Sequence, residues 1–292
     1  MLLYLKGDYM KKKNNVIKFL FISPIILYTI LLVFLPLVYI FIISFFKNDG
    51  YGGIINVFTL QNYIQLFDFV YIKIFVKSII IAVVVTIICI LITYPFVLSI
   101  CHKSKIVQKI LMTLVMVPFL TNSLIRMYGW IVLLRKSGVI NSALLSMNII
   151  DSPLNLMYNN LGIIIGMVYT LLPFMILPLY NSVSSIDKSL LEAASDLGAS
   201  RIKIFTKVIF PQTKSALFNG SLMVFTPALG YFFIVDVLGG GKIMILGNLI
   251  KNQFLTARNW PFGAAISVFL LIITGIIISV YKKTGGKMKD LG

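Results

Sequence analysis

Six apolar runs dominate this chain, at roughly residues 19–46, 76–100, 110–134, 162–180, 215–237 and 261–281. Each is long enough for a helix of about 20 residues, the length that crosses about 30 Å of hydrocarbon. Lipid tails offer an open backbone no hydrogen bonds, so runs of this kind close their own as helices. The expected fold class is all-α: a polytopic membrane protein whose six transmembrane helices form one domain over residues 19–281. A short segment, residues 1–18, precedes it and a tail, residues 282–292, follows. The composition agrees, since 59% hydrophobic and 12% charged residues exceed the roughly 45–50% apolar share of soluble domains.

A formal net charge of +17 would point first to nucleic acid in a soluble chain. In a membrane protein the placement of the charges decides. With the N-terminus inside, the inner segments carry Lys6, Lys11, Lys12, Lys13 and Lys18, then Lys103, Lys105 and Lys109. They also carry Lys188, Arg201, Lys203, Lys207 and Lys214, then Lys282, Lys283, Lys287 and Lys289. These are seventeen of the 26 Lys and Arg residues, so the positive-inside rule expects cytoplasmic termini and a cytoplasmic loop around Lys188. No nucleic-acid partner is needed to account for the charge. Met10, followed by Lys11 to Lys13, offers a second start. The first apolar run is too long for a signal-peptide core and no small-x-small site follows it, so it is expected to stay as an anchor.

Cys89 and Cys101 are the two cysteines. Twelve positions along one helix separate them by about 18 Å, beyond disulfide reach, and both are expected as free thiols. His102 stands between Cys101 and Lys103, with no further His, Cys or carboxylate near them to complete a metal site. No metal and no cofactor are expected on this chain.

The polar island from Asp187 to Pro211 interrupts the apolar pattern. Ser189 and Glu192 have capping-box spacing, in which hydroxyl and carboxylate each satisfy a free N–H at a helix start. Ala193, Ala194 and Leu197 continue that short helix, and Gly198 suits a left-handed C-cap. Arg201, Lys203 and Lys207 mark a second helix facing water or headgroups, which Pro211 is expected to end. The expectation is a helix–Gly–helix elbow outside the bilayer, a coupling loop over residues 187–211.

Elsewhere, Thr59 can cap a short interfacial helix carrying Tyr63, Phe67, Phe69 and Tyr71. The third run holds Thr121, Asn122, Ser123 and Arg126, and a charge at membrane depth needs a partner or a cavity. Arg126 is expected to brace the bundle, with Asp236 the best partner by depth. Gly162 and Gly166 form a small-xxx-small face for close helix packing. The fifth run contains Gly220, Pro227 and Gly230, then Tyr231, Phe232 and Asp236. Irregular backbone there would line protein or a watery cavity, and a carboxylate beside aromatic rings suits an organic cation. Tyr231, Phe232 and Asp236 are the candidate substrate pathway; the alternative is a structural salt bridge from Asp236 to Arg126 or Lys242. Gly239 to Lys242 lacks P-loop spacing, and is expected as a flexible outer loop.

Glu192-Ala193-Ala194, Gly198 and Pro211 resemble the "EAA" loop of ATP-binding-cassette importer permeases, with Val208 and Phe210 standing where Ile and Leu are usual. The resemblance extends through Thr121–Arg126, Leu171–Tyr180, Asp236–Asn248 and Trp260–Ala265, from about Phe19 to Tyr281. It is to the first of the two permeases of bacterial spermidine/putrescine importers. What the resemblance implies is a type I importer permease fold in the bacterial inner membrane, bearing no catalytic residue and translocating polyamine by alternating access. It further implies a second, non-identical permease, an ATPase dimer that binds ATP and Mg, and an extracytoplasmic binding protein. Ser189, Glu192, Ala193, Ala194, Gly198 and Pro211 would then form the ATPase-coupling loop. A permease of the same family for another solute is the near alternative and an ion channel the distant one.

Overall fold

The computed structural model describes residues 23–283. In chain order its elements are α1 (Ser23–Ile43), the strands β1 (Phe46–Asn48) and β2 (Ile54–Phe58), α2 (Gln61–Gln65), α3 (Phe69–Cys101) and α4 (Lys105–Leu120). There follow α5 (Ser123–Leu134), α6 (Val139–Ser146), α7 (Asn160–Ser184), α8 (Lys188–Asp196) and α9 (Arg201–Gly230). The last are α10 (Phe232–Gly239), α11 (Leu246–Leu255) and α12 (Trp260–Lys283). Among the described residues α1, α3, α7 and α12 are long and apolar enough to cross a membrane unbroken. Two bent pairs, α4 with α5–α6 at 98° and α9 with α10 at 61°, bring the crossings to six when each pair counts as one. The basic stretch at residues 1–18 and the tail beyond Lys283 lie outside the described residues.

The third run therefore does not form the straight helix its hydropathy suggests. Pro118 closes the last turn of α4, Thr121 turns extended, and Asn122 caps α5 by accepting the Leu124 N–H at 2.8 Å. The polar cluster at Thr121–Ser123 is a hinge between two helices, because its side chains satisfy the backbone groups that a break exposes.

By compactness the described chain divides into two units, one running up to Gln65 and including Gln253–Leu270, the other Leu66–Asn252 with the chain from Leu271. In the first, β1 and β2 pair antiparallel. Their turn is tied by Asn48 Oδ1, which accepts Gly50 N, and Asp49 Oδ1, which accepts Tyr51 N and Gly53 N at 2.7 and 2.8 Å. Those N–H donors hold the Asp49 carboxyl below the usual carboxylate range. The interfacial helix expected after Thr59 is shorter than its aromatic pattern suggested. Thr59 Oγ1 does accept the Gln61 N–H at 3.1 Å, yet α2 stops at Gln65, and Phe69 and Tyr71 belong to α3. Asn62 anchors α2 by donating to Ser44 O and Phe46 O at 2.9 and 2.8 Å.

In the second unit α3, α7 and α9 pack on one another. Tyr94, Val97, Ile176, Leu179 and Val183 make a buried cluster there, with Phe205 and Leu217 against it. Tyr94 also shares a hydrogen bond of 2.8 Å with the buried Thr213 hydroxyl. Cys89 and Cys101 lie on α3 as free thiols. Close packing follows from small residues, as lipid supplies no hydrophobic force between helices. Gly166 is buried on α7, and a Cβ there would run into Leu238 and come within 3.0 Å of Ile234 Cγ2, so this glycine face seats α10.

Pro211 does not end its helix. A wide π-helical turn at Phe205–Ile209 precedes it, closed by Phe210 N on Phe205 O, and α9 continues to Gly230. The wide turn shifts the carbonyls that an ordinary α-helix would aim at the proline ring. The same device recurs in α1, where a π turn at Ile30–Phe34 precedes Pro36 by two residues.

Candidate functional site

The elbow forms at the expected place with a different cap. Asp187, in extended conformation, accepts the Ser189 N–H on Oδ1 at 3.0 Å, and α8 starts at Lys188. The Ser189–Glu192 capping box is thus replaced by an aspartate cap two residues earlier. A carboxylate is the stronger acceptor at the positive end of a helix. Ser189 backbone and hydroxyl hold the Asp187 carboxyl below its ordinary value of 3.8. A lowered folded-state pKa means that its support of the helix is present above that ordinary value and is lost as pH falls through the folded one. At neutral pH, Asp187→Ala should therefore weaken hydrogen-exchange protection at Leu190 and Leu191, with the transmembrane helices unchanged.

The far end of α8 is a complete Schellman closure. Gly198 takes φ +73°, its N–H donates to Ser195 O at 2.9 Å, and Ala199 N donates to Ala194 O at 3.1 Å. Ala194 thus contributes its carbonyl as well as its small side chain. Ser200 then caps α9 by accepting Lys203 N, so two helix starts and one helix end are satisfied within fourteen residues, Asp187 to Ser200. Glu192 and Ala193 are exposed on α8. Near them lie exposed apolar side chains to which the sequence reading gave no contact role: Leu190 at 49%, Leu197 at 87% and Ile202 at 75% exposure. Their signal was a leucine retained where a water-facing helix has no need of one. Pro211 sits well along α9 and takes no part in the corner.

One helix connects the elbow with the candidate pathway. From Arg201 to Gly230, α9 spans about 45 Å at 1.5 Å per residue. It stops at Tyr231 (φ −77°, ψ 62°), and the chain resumes as α10. This is the break expected from Pro227 and Gly230. Thr226, Pro227, Gly230, Tyr231, Phe232 and Phe233 line an open, largely apolar cleft of ≈ 340 Å³ there. Gly247, at the start of α11, meets Gly230 so closely that a Cβ would overlap its carbonyl oxygen. Leu246 N donates to the buried Ser78 hydroxyl of α3 at 2.9 Å, which fixes where α11 begins.

Tyr231 and Phe232 reach this cleft, whereas Asp236 lies one turn further along α10 and is already paired. Lys251 Nζ lies 2.6 Å from its Oδ2 and Asn248 Nδ2 lies 2.6 Å from its Oδ1. Asp236 bonds neither Arg126 nor Lys242, because α11 returns Asn248 and Lys251 alongside α10. Arg126 instead sets its guanidinium 5.8 Å from the Phe119 ring centroid, and its buried Nε has no hydrogen-bond partner among the described residues. Sequence reasoning gave neither Lys251 nor Asn248 a role as a partner of Asp236. Their spacing of three on a helix, which puts both on one face, was the available signal.

The model of the binding-protein-dependent transport system inner membrane component family matches residues 97–283. The chain belongs to this family. It is 43% identical over 260 residues to the spermidine/putrescine transport system permease protein PotB of Escherichia coli (strain K12), covering 89% of this chain and 94% of that one. The PotB protein of Haemophilus influenzae is 40% identical over 272 residues, covering 93% and 95%. Among solved structures, a bacterial ABC transporter involved in the import of the acidic polysaccharide alginate superposes with a TM-score of 0.78 at 15% identity, covering 94% of this chain and 97% of that one. That likeness concerns the fold: the chain has the architecture of an importer permease. It is a multi-pass membrane transport subunit, and the family is one of permeases, not enzymes.

Proposed function

We propose that this chain is a permease subunit of an ATP-driven polyamine importer, with the elbow toward the cytoplasm and both termini inside. The observation that carries the reading is the single helix running from the elbow to the broken cleft. A displacement of α8 is transmitted along α9 to Tyr231 and Phe232 without an intervening loop. A partner ATPase dimer, holding ATP and Mg, docks on α8 through the exposed side that carries Leu190 and Ala193 and ends at Leu197, with Glu192 on the flank, and drives it. Together with a second, non-identical permease, the chain rocks between outward and inward openings. An extracytoplasmic binding protein delivers the substrate, and the names carried by the relatives of 40–43% identity support spermidine and putrescine as the cargo. The chain itself binds no cofactor. The aromatic cleft suits methylene chains, and a carboxylate one turn away suits an ammonium. The test is ATPase activity of the complete complex in proteoliposomes with binding protein present, titrated with spermidine and then putrescine. Stimulation by either supports the assignment; a response only to another solute would retain the permease and replace its cargo.

A further inference from the structure

Asp236 offers two different oxygens. Oδ1 is held by Asn248, a buried side chain that is itself fixed: its Nδ2 also donates to Phe232 O at 3.2 Å and its Oδ1 accepts Ile245 N at 3.3 Å. This oxygen is immobile. Among the described residues Oδ2 is held only by the ammonium of Lys251, in a pair whose side chains are 29% (Lys251) and 35% (Asp236) exposed. The same ammonium lies 5.8 Å from the centroid of the Phe232 ring, and Phe232 lines the cleft. A primary ammonium on a four-carbon arm therefore sits between a carboxylate and an aromatic face at the edge of the cavity. That is a diaminobutane molecule less its second ammonium, tethered to the protein.

We propose that Lys251 is a built-in stand-in for the substrate's terminal ammonium, occupying Asp236 Oδ2 between transport cycles and exchanging with polyamine during them. The proposal rests on the polyamine reading above. An ion pair about one-third exposed and held by one flexible arm exchanges at small cost, while Asn248 keeps the carboxylate aimed throughout. The tether sets a competing ammonium at an effective concentration on the order of millimolar. Free polyamine at micromolar levels cannot then hold the position, whereas a molecule handed over directly into the cleft can. Once displaced, the Lys251 cation lies close to the incoming polycation and repels it, which favours onward release. The resting position is also electrically neutral, so inorganic cations find no free carboxylate there.

The test is equilibrium binding of radiolabelled putrescine and spermidine to the assembled importer in nanodiscs, without binding protein or ATP. A competitor that leaves Oδ2 free about one-tenth of the time weakens apparent binding about tenfold. Lys251→Gln should therefore bind polyamine about tenfold more tightly than the parent, and adding Asp236→Asn should erase the gain. Lys242→Gln, an exposed lysine of the neighbouring loop, controls for the loss of one positive charge and should change binding less than about twofold. Lys251→Arg, which keeps the brace and can grip the carboxylate with two parallel N–H bonds, should bind polyamine more weakly than the parent. Unchanged or weaker binding in Lys251→Gln, or parent-like binding in Lys251→Arg, in complexes that still import polyamine with binding protein present, overturns the role of Lys251 and leaves the cargo assignment intact. A parent complex that imports no polyamine overturns both.

Discussion

Gly198→Pro should abolish substrate-stimulated uptake while leaving the permease inserted and assembled with its sister subunit. The glycine sits at φ +73° with an N–H bonded to Ser195 O at 2.9 Å. Proline fixes φ near −65°, removes that donor and disfavours the helical conformation of the preceding Leu197. Nothing lies within 4 Å of a Cβ built at Gly198, so the damage is conformational and confined to the cap. The Schellman closure opens, α8 loses its fixed angle to α9, and motion of the ATPase no longer reaches the cleft. Gly198→Asn, which tolerates the left-handed region, should keep most of the transport, and Gly198→Ala should fall between, given a left-handed penalty of about 1–2 kcal/mol. The measurement is polyamine uptake and ATPase activity in proteoliposomes at matched permease content. An expected loss of at least tenfold in uptake for the proline variant, against near-parental uptake for Asn, separates coupling from folding. Parental uptake in Gly198→Pro would remove the elbow from the mechanism.

The elbow and the broken fifth crossing were legible in sequence because each is written in local chemistry. A glycine after a run of helix formers, flanked by Ser and Asp caps, specifies a turn whatever surrounds it. Pro227 and Gly230 likewise mark the stop at Tyr231. Local signals misled where another local signal overrode them. Pro211 looks like a helix end, but the residues before it adopt a π turn, as do those before Pro36 in α1, and a helix that widens in this way carries its proline without breaking. The capping box at Ser189–Glu192 competed with Asp187, and the stronger acceptor won.

What stayed illegible is long-range. Arg126 and Asp236 were matched by depth, a one-dimensional criterion, whereas the return of α11 beside α10 brings Lys251 and Asn248 to the carboxylate first. Ser78 on α3 accepts the Leu246 N–H across 168 positions of sequence, and no periodicity announces such a bond. The β1–β2 hairpin was hidden by its turn, where Asn48 and Asp49 side chains substitute for backbone pairing in a stretch that reads as mixed polar and aromatic.

Gly247→Ala carries the largest structural consequence expected of any single methyl addition near the cleft. Its Cβ would overlap Gly230 O and lie 2.6 Å from Gly230 C. Backbone atoms cannot turn aside as a side chain can, so α11 or the end of α9 must shift. The start of α11 is pinned by Ser78, and Asn248, the next residue, is pinned by Phe232 O and Asp236. The displacement is therefore directed into the α9–α10 break at Tyr231, where the helix is already interrupted. Overpacking of this kind costs about 1–3 kcal/mol, occasionally more, and here it also moves the aromatic wall of the cleft. Thermal unfolding of the detergent-purified complex should show a clear loss of stability, with polyamine-stimulated ATPase falling further than basal ATPase. Gly129→Ala, on α5 with nothing within 4 Å of the added Cβ, should stay within about 0.5 kcal/mol of the parent. If the two variants behave alike, the close approach of α11 to the break is not what shapes the cleft, and Tyr231 and Phe232 must owe their positions to some other contact.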